Sequence, residues 1–132
     1  MSMEQLQEMA DYVIVEGDGA AGKPLKAHAP YEPVIPPQST QTIQVVGFSG
    51  IGRPIEEAAH RPERYAQIAG AAKEDLVTPE IAAAVINREH LCHRVLINQV
   101  DQPAIQAEGL AAALEAPAVL GSLQKGWVKC LF

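Results

Sequence analysis

The stretch Tyr12-Val-Ile-Val-Glu16-Gly-Asp18-Gly19-Ala-Ala-Gly22-Lys23-Pro24 sets the expectation for the fold. Its opening residues form a continuous apolar run broken by Gly17-Asp18-Gly19, the pattern of a buried parallel strand that runs into a loop. Met3, Leu6 and Met9, spaced three apart just upstream, predict the tail of a helix packed against that strand. Downstream, Pro24, Pro30, Pro33, Pro36 and Pro37 follow in quick succession. Each proline removes a backbone donor and restrains its predecessor, so 24–41 reads as a proline-rich loop within the domain.

Beyond the prolines, Thr42 to Gly47 reads as a second strand, ending in the glycine-punctuated turn Gly47-Phe-Ser-Gly-Ile-Gly52. A helix is predicted over Arg61 to Gly70, with Pro62 in its first turn and Gly70 as its stop. The next opens at Thr78-Pro79-Glu80, with threonine as N-cap and an apolar stripe of Ile81, Val85 and Ile86, and ends near Asn87 to Glu89. Arg94 to Asn98 reads as a strand, Asp101-Gln-Pro103 starts an alanine-rich helix to about Glu115, and Ala118 to Gly121 and Trp127 to Leu131 read as two short final strands. This alternation predicts an α/β domain with a mostly parallel sheet.

The chain has 132 residues, room for one domain, so 1–132 is read as a single unit. With 48% hydrophobic and 20% charged residues it can bury a core. Ten basic against sixteen acidic residues give a net charge of −6, and the basic ones are scattered, which argues against a nucleic-acid partner. No apolar run reaches membrane-spanning length, and the N-terminus carries acids where a secretory signal carries bases. Cys92 and Cys130 form no CxxC pair and read as small core residues, which fits a reducing compartment. A cytoplasmic protein with no membrane partner is the expectation.

Three clusters could carry chemistry. Gly17 to Pro24 comes within one residue of the phosphate-binding pattern GxxxxGK[ST]. That loop needs a helix starting at its lysine and a hydroxyl after it, whereas Pro24 follows Lys23 and more prolines follow Pro24. A phosphate cradle of that kind is therefore rejected. Read differently, Asp18 at the end of a strand could hold magnesium, or could be a solvated acid in a glycine turn. Second, Asn98-Gln99-Val100-Asp101 follows a strand where guanine-reading proteins carry NKxD, with Gln99 departing from that pattern. Asp101 is also well placed as a helix N-cap, and spacing alone favours the cap. Third, His60-Arg61-Pro62-Glu63-Arg64 gathers groups suited to an anion, or forms a solvated helix end. His28, His90 and His93 lack metal-ligand spacing and read as surface or locally hydrogen-bonded residues.

The run Val13 to Pro36 resembles the signature of the selenium-dependent hydroxylase accessory protein family, often called YqeC. Val46-Gly47 with Gly52-Arg-Pro54, His60-Arg-Pro-Glu63, Leu96 to Asp101 and Val119-Leu-Gly-Ser122 agree with it in order. The resemblance implies a three-layer α/β/α domain with a mostly parallel sheet, P-loop NTPase-like. It implies an accessory role in maturation of the molybdenum cofactor of selenium-dependent molybdenum hydroxylases, with nucleotide as ligand, magnesium as its companion and maturation proteins as partners. By analogy Asp18, Gly19, Gly22, Lys23 and Lys26 would line one edge of the site with His60 and Arg61, Asp18 would stand at the magnesium position, and Asn98 with Asp101 would flank a base. Typical members begin with a phosphate loop upstream of the block matched here. The expectation is thus an N-terminally truncated, C-terminal part of the domain that does not hydrolyse nucleotide alone. The alternative is a non-catalytic binding or assembly module that forms a homo-oligomer through an exposed sheet edge.

Overall fold

Four strands form the main sheet of this computed structural model, which describes residues 1–102 and 104–131. They are β2 (Ile43–Gly47), β4 (Arg94–Asn98), β5 (Ala118–Ser122) and β6 (Trp127–Leu131), in the order β2-β4-β5-β6. The first three run parallel and β6 returns antiparallel. Gly126 makes that return, with φ +79 and its N–H donating to the Ser122 carbonyl at 2.8 Å. A separate parallel pair of two-residue strands joins β1 (Leu25–Lys26) to β3 (Ala59–His60).

Helices supply the crossovers. Between β2 and β4 the chain forms a 3₁₀ turn (Phe48–Gly50), α2 (Ile55–Ala58), α3 (Pro62–Ala69) and α4 (Pro79–Glu89). Thr78 caps α4 through a hydrogen bond from the Ile81 N–H, and Pro79 takes the first helical position, where its missing donor costs nothing. Between β4 and β5 lies α5 (Ile105–Ala113), while α1 (Met3–Met9) precedes the rest. Ser2 and Gln5 close α1 with a reciprocal capping box.

Strand register decides which side chains are buried. Val46, Val95, Ile97, Ala118 and Leu120 share one face and are buried together with Val85, Ile86, Ala107 and Leu110 of the helices. Burying each large aliphatic side chain is worth about 1.5–3 kcal/mol, so this face is a large part of what stabilises the fold. On the opposite face Ile43 and Val45 of β2 and Val128 of β6 are each more than half exposed.

Several expectations are corrected. Residues 12–16 form no strand: they have no regular structure and no backbone partner among the described residues, and Tyr12 and Ile14 are almost fully exposed. A strand gains its stability from a neighbour, and none is present here among the described residues. Helix α1 exists but buries nothing, so it does not pack on a strand. The loop expected over 24–41 contains β1. Helix α5 is capped at Ala104 instead of Asp101, and Pro103 lies outside the described residues. Cys130 is exposed, and Cys92 is only partly buried against the core. Of the three layers expected, two are seen among the described residues, a sheet and one layer of helices.

Truncation inside the covered face and in the extended segment should differ sharply. Ile97→Ala is expected to destabilise the chain by about 2–5 kcal/mol in urea unfolding. Ile14→Ala should stay within about 0.5 kcal/mol, and a core-sized loss there would reinstate a buried strand over 12–16.

Candidate functional site

Residues 25–29 are buried without a break, and this run carries a lysine and a histidine inward. The Lys26 ammonium is ion-paired with Asp18 Oδ2 at 2.6 Å and donates to Glu32 Oε2 at 2.8 Å and to the Gly19 carbonyl. An ammonium removed from water is tolerated only when it is paired and hydrogen-bonded in this way. The second Glu32 oxygen accepts from the Ala29 N–H at 3.1 Å and from Arg61, whose Nη2 lies at 2.9 Å. Arg61 also stacks over the Tyr31 ring, 5.8 Å from its centre.

His28 extends the network to helix α4. Its Nδ1 lies 3.0 Å from Glu89 Oε1 and its Nε2 3.1 Å from Asp18 Oδ2. A carboxylate oxygen thus stands beside each ring nitrogen, and the contact to Glu89 has hydrogen-bond geometry. The His28 N–H donates to Glu89 Oε2 at 2.7 Å, and Arg64 of α3 donates to the His28 carbonyl at 2.6 Å. Three carboxylates, Asp18, Glu32 and Glu89, thus face Lys26, His28 and Arg61 across four separate chain segments. Arg61 reaches its place from a left-handed backbone, φ +61, at the N-cap of α3, a conformation uncommon for a residue with a side chain.

The charges shift one another. Hydrogen bonds from Lys26 and then from the Ala29 N–H pull the Glu32 carboxyl down to about 2, against the weaker opposing effect of burial. Burial by itself lowers the Lys26 ammonium, but the hydrogen bonds and charges of Asp18 and Glu32 outweigh it and raise the group above its ordinary value.

The arrangement does not fit Asp18 as a magnesium ligand. Its Oδ2 is buried 2.6 Å from the Lys26 ammonium and 3.1 Å from His28 Nε2, without the angles of a directed hydrogen bond, so a divalent cation there would sit against an ammonium. Among the described residues no group of three His, Cys, Asp or Glu side chains is placed to hold a metal ion.

A second polar locus opens at the carboxyl ends of β2, β4 and β5. A cavity of about 240 Å³ is lined by Ser49, Asn98, Gln99, Asp101, Ser122 and Gln124. Such a position, beyond the carboxyl ends of parallel strands, is where open α/β sheets bind ligands. The Ser122 hydroxyl donates to Asp101 Oδ1 at 2.8 Å, the Leu123 N–H to Asn98 Oδ1 at 3.0 Å, and the Ser49 hydroxyl to Gln99 Oε1 at 2.7 Å. Gln99 has φ +64, and its amide lies over Gly47, where an added Cβ would come within 2.3 Å of Oε1. Glycine at 47 is therefore what lets this amide close over the strand end.

The structure divides the nine residues singled out from the sequence. Asp18, Gly19, Lys26 and Arg61 meet in the ionic network, and Asn98 with Asp101 lines the cavity. Lys23 points its ammonium to the Glu57 carbonyl, Gly22 makes a turn at φ +75, and the His60 carbonyl accepts from the Ala27 N–H. Lys23 leads into β1 and not into a helix. His28, read as a surface or locally hydrogen-bonded residue, is corrected: it is buried and hydrogen-bonded to Glu89, 61 residues away. Glu32, Glu89, Ser49 and Ser122 were not anticipated. Glu32 lies inside the block that resembles the family and could have been found there, but nothing local marks Glu89, 61 residues from its partner.

Comparison with known proteins bears on the first half of the chain. Residues 1–63 match the model of the family described as YqeC protein. The uncharacterized protein YqeC of Escherichia coli (strain K12) is 39% identical over 61 residues, which cover 46% of this chain and 24% of that protein. The match thus spans about a quarter of the length of that curated relative. No solved structure gives a significant match. The matched region holds Asp18, Lys26, His28, Glu32 and Arg61 of the ionic network, while Glu89 and most of the cavity lie beyond it.

Acid should expose the network. Glu32 sits at about 2 in the folded chain against an ordinary 4.5, so the unfolded chain takes up that proton first as pH falls. Its contribution is complete above about pH 4.5 and is lost between there and about pH 2. Glu32→Gln should lower stability at neutral pH and flatten the decline across that window, as followed by urea midpoints against pH. An unchanged acid limb would remove Glu32 from the account.

Proposed function

We propose that this chain is part of an accessory protein for maturation of the molybdenum cofactor of selenium-dependent molybdenum hydroxylases, with a nucleotide or a related small molecule as ligand. The match of residues 1–63 to the YqeC family carries this reading. The ligand side is supported by the polar cavity at the strand ends, which holds Asn98 and Asp101 in one lining. In a P-loop NTPase-like reading of the fold, those strand ends are the side on which the base would sit. The chain supplies the base side of such a site and no phosphate cradle among its described residues, so this segment binds without hydrolysing. Magnesium, if it accompanies the nucleotide, is carried by the phosphates and not by Asp18.

A second reading rests on the uncovered sheet face. Ile43, Val45 and Val128 expose apolar surface there, and β6 is an edge strand, which would suit an assembly module that pairs with a second copy.

Calorimetric titration with GTP, ATP and CTP, each with magnesium, separates the two. The ligand reading expects heat and a raised melting temperature with at least one nucleotide. No response to any of them, together with an elution volume that shifts with protein concentration, would favour the assembly module.

A further inference from the structure

The two edges of the main sheet are protected differently. β6 carries Lys129 at its centre, the kind of charge by which natural edge strands resist pairing, and that ammonium lies exposed, 3.6 Å from Glu108. β2 has no such guard. No charged residue occurs between Ser39 and Ile51, and Ile43–Gly47 contains no proline. The backbone groups of β2 alternate between its two sides: the Thr42 carbonyl accepts from the His93 and Arg94 N–H groups toward β4, while the Gly47 N–H leaves on the outer side to the Pro24 carbonyl. Ile43 and Val45 share the outward set with Gly47, and among the described residues no hydrogen-bond partner meets their N–H or C=O groups. Their side chains are each more than half exposed.

The same chain holds a segment with the complementary deficit. Tyr12-Val13-Ile14-Val15 consists of residues that favour strands, yet its amides have no backbone partner among the described residues, and Tyr12 and Ile14 are 90% and 97% exposed. The stretch is tied on both sides to the 34–38 loop of its own chain, by Gln38 Nε2 donating to Glu4 Oε1 at 2.8 Å and by the Val34 N–H donating to the Gly17 carbonyl at 3.2 Å. These ties leave its middle facing outward, where a second molecule can reach it with both of them intact. Charge permits the approach. Two copies of a chain with net charge −6 repel, but Asp11 and Glu16, which bracket the segment, meet no like charge on β2.

We infer that residues 12–15 of a second copy of this chain add as a strand to the outer edge of β2. The inference rests on the assembly reading above and deepens it by naming the edge and its occupant. Main-chain hydrogen bonds at Ile43 and Val45 supply the pairing, and the apolar side chains of the added strand cover those of the edge. About a two-fold axis each copy gives its segment and receives the other's, so the contact closes at two copies and builds no fibre. A strand this short makes a modest interface. The dimer therefore forms on concentration, and the dilute chain is monomeric with 12–15 bare.

Light scattering of the eluting full chain, over a wide range of concentration, should show a monomer passing into a dimer, with hydrogen exchange at the Val13 and Val15 amides slowing in step. Ile14→Lys and Val45→Lys each place a charge at an exposed position, so each should keep the parent's unfolding midpoint in dilute solution while losing association. Mixed in equal amounts, the two variants should associate again, more weakly than the parent, because the intact segment of Val45→Lys fits the intact edge of Ile14→Lys. A misfolded variant would not regain a partner in this way. Association that survives either substitution alone, or a mixture that stays monomeric, overturns the inference. If association survives both and is lost in Val128→Lys, the assembly reading stands on another surface without this inference. Slow exchange at 12–15 in a chain that is monomeric at every dilution would make its own β2 the occupant and also overturn it. A monomer at every concentration with 12–15 freely exchanging removes the inference and the assembly reading together.

Discussion

An ammonium group taken out of water needs opposite charge and acceptors close by, and Lys26 finds them in the Asp18 and Glu32 carboxylates and the Gly19 carbonyl. Leaving such a charge without partners costs several kcal/mol, so this one requirement fixes how the loop before β1 and the turn after it must lie. The consequences spread from there. Asp18 also meets His28, His28 meets Glu89 at the end of α4, and Glu32 meets Arg61 at the start of α3. A segment with hardly any regular secondary structure is thereby tied to two helices of the covering layer. Proline restricts this segment before it folds, and the ion pairs add to the short β1–β3 pairing that holds it afterwards.

The sheet works to a different rule. Its buried face follows the two-residue period of β4 and β5 and is filled from α4 and α5. Parallel pairing of β2, β4 and β5 then brings the ends of all three strands to one side, and the turns leaving them carry Ser49, Asn98, Gln99, Asp101 and Ser122. Pro24 links the two systems, because its carbonyl accepts from the Gly47 N–H at 2.8 Å and Gly47 lies beneath Gln99. Ionic network and cavity are thus neighbours in the fold although they share no side chain.

Much of the second half of the fold was legible in the sequence. Thr78-Pro79 as a helix start, the strand at 94–98 and the paired strands at the end all rest on local signals that tertiary structure did not overrule. Residues 12–16 misled because an apolar run says that a strand is suited to burial without saying that a neighbour exists to pair with it. Asp101 misled for a related reason. It has the chemistry of a cap, but the Ser122 hydroxyl, 21 residues further along the chain, competes for its carboxylate. For the site, residue types were readable and partners were not. Asp18, Lys26 and Arg61 stood out as charges, whereas pairing His28 with Glu89 requires a contact between chain positions that only the folded topology brings together.

Hydrogen exchange resolved by residue tests whether the buried ionic network orders the N-terminal segment. The His28 N–H is bound by Glu89 and the Ala29 N–H by Glu32, whereas the amides of residues 12–15 have no backbone partner among the described residues. The network predicts that His28 and Ala29 exchange as slowly as the amides of β4, while residues 12–15 exchange at close to the rate of an unfolded chain. Fast exchange at His28 and Ala29, matching that of 12–15, would contradict it.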